Sequence, residues 1–318
     1  MDNILEIIKP YNEIIIAGHI KPDGDAVGAC LALAMICNKI GKQPKIILDK
    51  FTDRYNIIPG EENIFTGDCN EIKPDVFISL DCGDVRRLNE KAADLFNRSK
   101  VTINIDHHIS NTNFAQYNYV ETLSSTCELV YKLFIQFIIF DKDIASAIYA
   151  GVIYDTGGLR YKNTTPETVS IVANLMSLGI DHSELYSSIM TRYSYNEIMS
   201  VAKGVQNLII DGDVAFSFFT IGEMKELNVD VTDLDYIITY MMNIDNICTG
   251  VFIYETEENI FKVSLRSKVI NVSELAKSFG GGGHVNAAGC TLSGSKNEVY
   301  AIIKTKIQEE IENVKRRN

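Results

Sequence analysis

The sequence predicts a two-domain α/β protein, with a doubly wound parallel sheet in its first half and a smaller α/β domain in its second. Three observations carry that reading. The 318 residues are enough for two ordinary domains, each with its own hydrophobic core. The first half alternates short, continuous apolar runs with helical patterns, the rhythm of βαβ units whose helices cover both faces of a sheet. After a mostly helical middle, a second set of strand and helix patterns begins afresh.

Taken in order, residues 13–18 form the first strand around Ile14-Ile15-Ile16, and 25–40 the helix after it. Residues 44–48 read as a second strand. The runs DVFISL (75–80) and VTINI (101–105) are apolar throughout, as in strands covered on both faces. Helices are expected over 85–97, 125–138 and 144–154. From Pro166 to about 207 the chain reads as mostly helical, and Pro166 suits a helix start. The second domain shows strands over 214–220, 249–254 and 260–265, with helices over 233–242, 272–279 and 296–314. Lys315-Arg316-Arg317 reads as the cationic end of the last helix, favoured by its dipole. The expected organisation is a first domain over 1–190, a connector helix over 191–207 and a second domain over 208–318.

Composition narrows the function. With 46% hydrophobic and 23% charged residues the chain is globular in character. No apolar run approaches the roughly 20 residues of a membrane span. The N-terminus, Met1-Asp2-Asn3-Ile4-Leu5-Glu6, lacks the basic start and apolar core of a signal peptide. The seven cysteines contain no Cys-x-x-Cys pair, and Cys30 and Cys37 read as small core residues of one helix. A reducing cytoplasm is the expected home. A net charge of −12 argues against the broad basic surface that long duplex nucleic acid requires, but not against a short oligonucleotide held at one site.

In open α/β sheets, ligands bind beyond the carboxyl ends of the strands. The first strand runs into His19, Asp23 and Asp25, in the stretch AGHIKPDGDAVGA. The DVFISL strand runs into Asp81-Cys82-Gly83-Asp84, and VTINI into Asp106-His107-His108. A candidate helix ends at Asp155. A single aspartate after a strand is usually a turn former or a helix cap. Three of the five histidines lying beside aspartates at strand ends is a different matter. Carboxylate and imidazole donors without thiolate suit Mn²⁺ or Mg²⁺. Asp23, Asp25, Asp81 and Asp155 together would balance two divalent cations, the charge arrangement of two-metal phosphoryl chemistry. Gly24 is expected to permit a tight turn between Asp23 and Asp25.

The second half contributes KSFGGGGHVNAAGC. Its run Gly280, Gly281, Gly282 and Gly283 fits neither the dinucleotide fingerprint nor the P-loop pattern. It reads either as a flexible loop or as a backbone nest for an anion. His284 and Asn286 stand beside it as candidate contacts to phosphate, sugar or base, and Arg266 in SLRS falls near a strand end with a fork suited to phosphate.

These motifs resemble the DHH-family phosphoesterases, in the branch that carries a C-terminal DHH-associated domain and includes the NrnA-type oligoribonucleases that are also pAp phosphatases. GHIKPDGDAVGA, DCGD, IDHH, YDTGGLRY with NTTPET, SLRS and FGGGGHVNAAG carry the resemblance, in order, over nearly the whole chain. It implies an active site in an interdomain cleft, with two Mn²⁺ ions (Mg²⁺ as the alternative). His19, Asp23 and Asp81 would hold one ion, and Asp25, Asp81, His107 and Asp155 the other. His108 would face the scissile phosphate, and Asp106 would orient a histidine. Arg87, Arg160, Arg266, His284 and the glycine run would hold the rest of the substrate. The implied substrates are short RNA oligonucleotides and 3′-phosphoadenosine 5′-phosphate (pAp). A phosphodiesterase for cyclic dinucleotides or pApA is the nearest rival, and a non-catalytic nucleotide- or RNA-binding protein a rival of another class. The family pattern is departed from at Ala29, Cys30, Cys82 and Gly158-Leu159, none of which is an implied metal ligand. Monomer and homodimer are both left open.

Overall fold

The structure is a computed structural model and describes residues 4–234 and 236–317. They fall into two units, one ending at Arg192 and the other beginning at Tyr193. In chain order the first holds α1 (Ile4–Ile8), β1 (Glu13–Ala17), α2 (Gly24–Lys39), β2 (Gln43–Ile47), β3 (Val76–Leu80), α3 (Glu90–Arg98), β4 (Val101–Asp106) and β5 (Tyr117–Val120). Then come α4 (Thr126–Phe134), α5 (Lys142–Asp155), α6 (Pro166–Ser177) and α7 (His182–Tyr186).

The five strands form one sheet in the order β2-β1-β3-β4-β5, every neighbouring pair parallel. Alternate residues of β1 explain its unbroken apolar run. Ile14 and Ile16 join the core beneath α2, α4 and α5, while Ile15 and Ala17 join Phe77 and the α3 residues Ala92 and Leu95 on the other face. Each such isoleucine, fully buried, contributes about 1.5–3 kcal/mol. Cys30 and Cys37 are buried on α2, as expected. The strand order reverses between β1 and β3, and ligands bind at the carboxyl ends of strands flanking such a switch point.

The helix expected over 85–97 begins later. Asp84 caps a short 3₁₀ turn, Leu88 is extended, and Asn89 accepts from Ala92 N–H to start α3 afresh. The edge strand β5 was not foreseen, because it is only four residues long, and its Tyr-Asn-Tyr-Val carries little apolar alternation although Tyr119 reaches the core. At α6, Pro166 does open the helix, behind a capping box formed by Thr165 and Thr168.

The second unit contains α8 (Tyr195–Gln206), β6 (Ile209–Asp211), β7 (Val214–Phe219), α9 (Ile221–Leu227), α10 (Ile237–Met242), β8 (Thr249–Glu257) and β9 (Ile260–Ser267). It closes with α11 (Val272–Lys277), β10 (Gly282–His284), β11 (Ala287–Ser293) and α12 (Lys296–Arg317). The sheet order is β10-β11-β9-β8-β7-β6, with only β7 and β8 parallel. The helix expected over 233–242 is shortened to α10 after a 3₁₀ turn at Val231–Leu234, and residue 235 lies outside the described residues. One sheet face packs Phe216, Val263 and Leu265 against α11 and α12. On the other face, Phe219 and Phe252 pack against α9 and α10. Strand pairing puts Lys262, Ser264 and Arg266 of β9 on that second face, opposite Thr291, Gly289 and Ala287. Among the described residues, no helix is long and apolar enough to cross a membrane.

Candidate active site

Four aspartates and two histidines meet at the carboxyl ends of β1, β3 and β4 and at the end of α5. Asp23 shows how a cap and a ligand can be one residue. Its Oδ1 accepts from the N–H groups of Asp25 and Ala26, both at 3.1 Å, and starts α2. Its Oδ2 points the other way, 3.8 Å from His19 Nε2. Gly24 is needed for a reason other than the expected turn. It lies inside α2, and a β-carbon there would fall 2.7 Å from the Tyr154 ring, so glycine serves a close approach between α2 and α5.

Asp81 follows β3 directly, 2% exposed, with a left-handed backbone (φ +54°) that costs a non-glycine residue about 1 kcal/mol or more. Its N–H donates to the Ile105 carbonyl at 3.1 Å, which fixes the strained turn. Oδ2 lies 3.5 Å from His19 Nε2, and Oδ1 lies 3.5 Å from His107 Nε2. His107 Nε2 is also 3.2 Å from Asp155 Oδ2. Asp25 is wholly buried, and its two oxygens accept from the first N–H groups of α4, Thr126 at 2.6 Å and Cys127 at 3.0 Å. The positive end of the α4 dipole favours its charge there.

The histidine tautomers follow from their far nitrogens. His19 Nδ1 is 2.7 Å from the Ile20 carbonyl, and His107 Nδ1 is 3.2 Å from the Leu123 carbonyl. A carbonyl oxygen only accepts, so each Nδ1 carries a proton, and in the neutral ring each Nε2 lone pair is left for a cation. His108 is held differently: its Nδ1 donates to Asp106 Oδ1 at 2.7 Å. Asp106 is buried and accepts at Oδ2 from Asn111 Nδ2 at 2.5 Å, and the same Nδ2 donates to Asn104 Oδ1 at 2.7 Å. The sequence identified Asp106 as an orienter, and the histidine it touches is His108.

So many carboxylates cannot all ionise in the absence of cations. Burial and then the charge of Asp81 push Asp25 up to about 7. Burial, Asp25 and Asp81 push Asp155 up to about 10. Burial opposes charge on His19, yet the neighbouring carboxylates of Asp23 and Asp81 raise it to about 10. Burial likewise works against Asp81, but His19, His107 and His108 hold it below the usual carboxylate range. The Asp106 hydrogen bond raises His108. Protons thus hold the charge balance that a divalent cation would otherwise supply. The donor atoms of His19, Asp23 and Asp81 lie within 4.8 Å of one another, as do those of Asp25, His107 and Asp155 and those of Asp81, His107 and His108. These nitrogen and oxygen donors fit divalent metal ions. In the third group, His108 offers a nitrogen already committed to Asp106.

The proposed substrate residues divide between the units. Arg87 ends the 3₁₀ turn after β3, its carbonyl accepts from Ile20 N–H at 2.7 Å, and its charge acts on His108. Arg160 is exposed in the turn after Asp155, 5.5 Å from the centre of the Tyr161 ring. In the second unit, Arg266 and His284 are exposed on the same sheet face, where each pairs with Ala287 from one side. Asn286 is exposed in the turn between β10 and β11.

The glycine run is not a free nest. Gly280 and Gly281 N–H groups already donate to Lys277 and Ala276 carbonyls and cap α11. A β-carbon at Gly281 would fall 2.7 Å from Cys290 Cα, and one at Gly283 would fall 2.6 Å from Ala288 Cα, so both allow β10 to lie tight on β11. At Gly280 and Gly282 a β-carbon would meet nothing within 4 Å, but Gly280 has a left-handed backbone (φ +75°), whereas Gly282 does not. Sequence reasoning also missed residues 123–127, whose Ser-Ser-Thr reads as a plain helix start. Ser125 does cap α4, but the segment also holds His107, Asp25 and Asp81.

Residues 13–152 match the model of the DHH family, N-terminal domain, and residues 211–313 match the DHHA1 domain. The bifunctional oligoribonuclease and PAP phosphatase NrnA of Thermus thermophilus is 29% identical over 319 residues, covering 97% of this chain and 93% of its own. The protein of that name from Bacillus subtilis is 24% identical over 304 residues, covering 91% and 92%. The crystal structure of an exopolyphosphatase-related protein from Bacteroides fragilis matches with a TM-score of 0.91 at 27% identity, over 99% of this chain and 97% of that one. With both domain models in order and the donor groups in place, the chain belongs to the DHH family of metal-dependent phosphoesterases, with a C-terminal DHHA1 domain.

Proposed function

We propose that the chain hydrolyses phosphate esters of short nucleotides, taking RNA of two to five nucleotides to mononucleotides and pAp to AMP and phosphate. The observation that carries the reading is Asp81, whose two oxygens each lie 3.5 Å from a different histidine, as in a carboxylate shared by two cations. His19, Asp23 and Asp81 are then the ligands of one ion, and Asp25, Asp81, His107 and Asp155 those of the other. The donor set favours Mn²⁺, with Mg²⁺ the alternative. Centres of this type supply an activated water and compensate charge on the phosphoryl oxygens. The names of the relatives from Thermus thermophilus and Bacillus subtilis support short RNA and pAp as substrates.

Around that centre the chain's own groups divide the work. His108, its Nδ1 proton held by Asp106 and its pKa raised, turns Nε2 toward the phosphate and donates to the leaving oxygen. Arg87 beside it binds a phosphoryl oxygen. Arg160, Arg266, His284, Asn286 and Gly282 hold the remaining phosphate and nucleoside. Gly282 suits this because an approaching ligand meets no side chain there.

Turnover of pAp, pApA, RNA of two to five nucleotides, cyclic di-AMP and pyrophosphate, with Mn²⁺ and with Mg²⁺, tests the proposal. Highest turnover is expected for pAp and short RNA with Mn²⁺. Preference for cyclic di-AMP or pyrophosphate, or binding of pAp without turnover of any substrate, would overturn it.

A further inference from the structure

Residues 123–127 touch three of the six proposed ligands, and one of those contacts joins a side chain of the segment to a carboxylate oxygen. The Leu123 carbonyl accepts from His107, and the Thr126 and Cys127 N–H groups donate to Asp25. The Thr126 hydroxyl donates to Asp81 Oδ1 at 3.0 Å. We infer that Thr126 is a positioning residue that ties the two cation sites together: its N–H fixes Asp25, which serves one site, while its hydroxyl fixes which oxygen of Asp81 faces each site. The inference rests on the two-cation reading above.

A carboxylate can be shared only if its plane is held. The torsion that turns that plane is broad, with no sharp rotamer well to hold it. The histidine nitrogens around Asp81 stand 3.5–3.6 Å away, outside ordinary hydrogen-bond length. The Thr126 hydroxyl is nearer, and it leaves Oδ1 a second lone pair for a cation. Thr126 is also well placed to hold still. It is fully buried in the first turn of α4, behind the Ser125 cap, with its own N–H committed to Asp25. Its β-branch restricts the side chain further. One residue thereby sets the spacing between a ligand of one site and the ligand common to both.

The test is a Mn²⁺ titration of the metal-stripped chain, with free Mn²⁺ followed by EPR, for wild type and for Thr126→Val, Thr126→Ala and Thr126→Ser. Wild type is expected to bind two ions. Val and Ala, which keep the N–H but lose the hydroxyl, are expected to bind at least one ion about 10–100-fold more weakly. Ser keeps the hydroxyl and is expected to bind as wild type does. Should Val melt the metal-free protein, the smaller Ala carries the same comparison. Val and Ala binding like wild type would overturn the inference, and so would Ser losing affinity along with them. Wild type binding fewer than two ions would instead sink the two-cation reading, before any variant is considered.

Discussion

Under the proposed function, the two units prepare for a ligand in opposite ways. In the first, the donors are buried or half-buried, and the atoms not facing the cluster are tied off: Asp23 Oδ1 to the start of α2, His19 and His107 Nδ1 to carbonyls, Asp25 to the start of α4. In the second, Arg266 and His284 stand exposed on a sheet face floored by Ala287 and Gly289. Coordinating an ion demands fixed distances, and strand ends and helix caps supply them. Holding a nucleotide demands access, which small residues supply by leaving space.

The sharpest way to break that contrast is to remove one group from each side. Asp81→Asn should lose both cations and lower activity by at least ~10³-fold, since charge compensation at phosphorus is worth several kcal/mol. Circular dichroism should show the fold intact, and metal analysis the loss. Arg266→Ala and His284→Ala should keep both ions while raising KM for pAp by about 10-fold. If either second-unit variant shed a cation, or Asp81→Asn kept both, the division between the units would fail.

That division also governs what the sequence could reveal. His19, Asp81 and His107 are legible as candidates because aspartate and histidine together at strand ends are chemically unusual, and strand order then gathers them, with Asp155 reaching them from the end of α5. Thr126 is not, because Ser-Ser-Thr ahead of an apolar run reads as a helix cap, and Ser125 is one. Its second contact, to Asp81, depends on tertiary packing across 45 residues of sequence. The glycine run was legible as a feature but not as a hairpin. Glycine has little preference for strands, and the need for it at Gly281 and Gly283 lies in β11, several residues further on.

A smaller effect separates the units by pH. Asp25 and Asp155, with ordinary values near 4, are raised to about 7 and about 10, and His19 is raised from 6.5 to about 10. All three bind protons more tightly folded than unfolded, so their contribution to stability falls as pH rises from about 4 toward 10. Asp81 and Asp106, lowered, act in the opposite sense, but their contribution is lost only in acid. Metal-stripped protein should therefore melt at progressively lower temperature from pH 5 to pH 9. With Mn²⁺ the trend should weaken or reverse, because cations displace those protons and bind better as pH rises. Parallel melting curves with chelator and with Mn²⁺ would mean that the buried cluster is not where the cations act.

The smallest effect probes the open face itself. Gly281→Ala puts a β-carbon against the Gly289 carbonyl and 2.7 Å from Cys290 Cα, backbone atoms that cannot swing aside as a side chain would. It should destabilise the protein by about 1–3 kcal/mol, as overpacking does. At Gly282 nothing lies within 4 Å of the added carbon, and the backbone is not left-handed, so Gly282→Ala should leave stability within about 0.5 kcal/mol. The informative quantity is then KM. If a nucleotide rests on this face, the extra methyl at Gly282 should raise KM for pAp several-fold while denaturant melts stay superimposed on wild type. An unchanged KM would mean that the space over Gly282 is merely solvent, and that recognition by this unit lies with Arg266, His284 and Asn286.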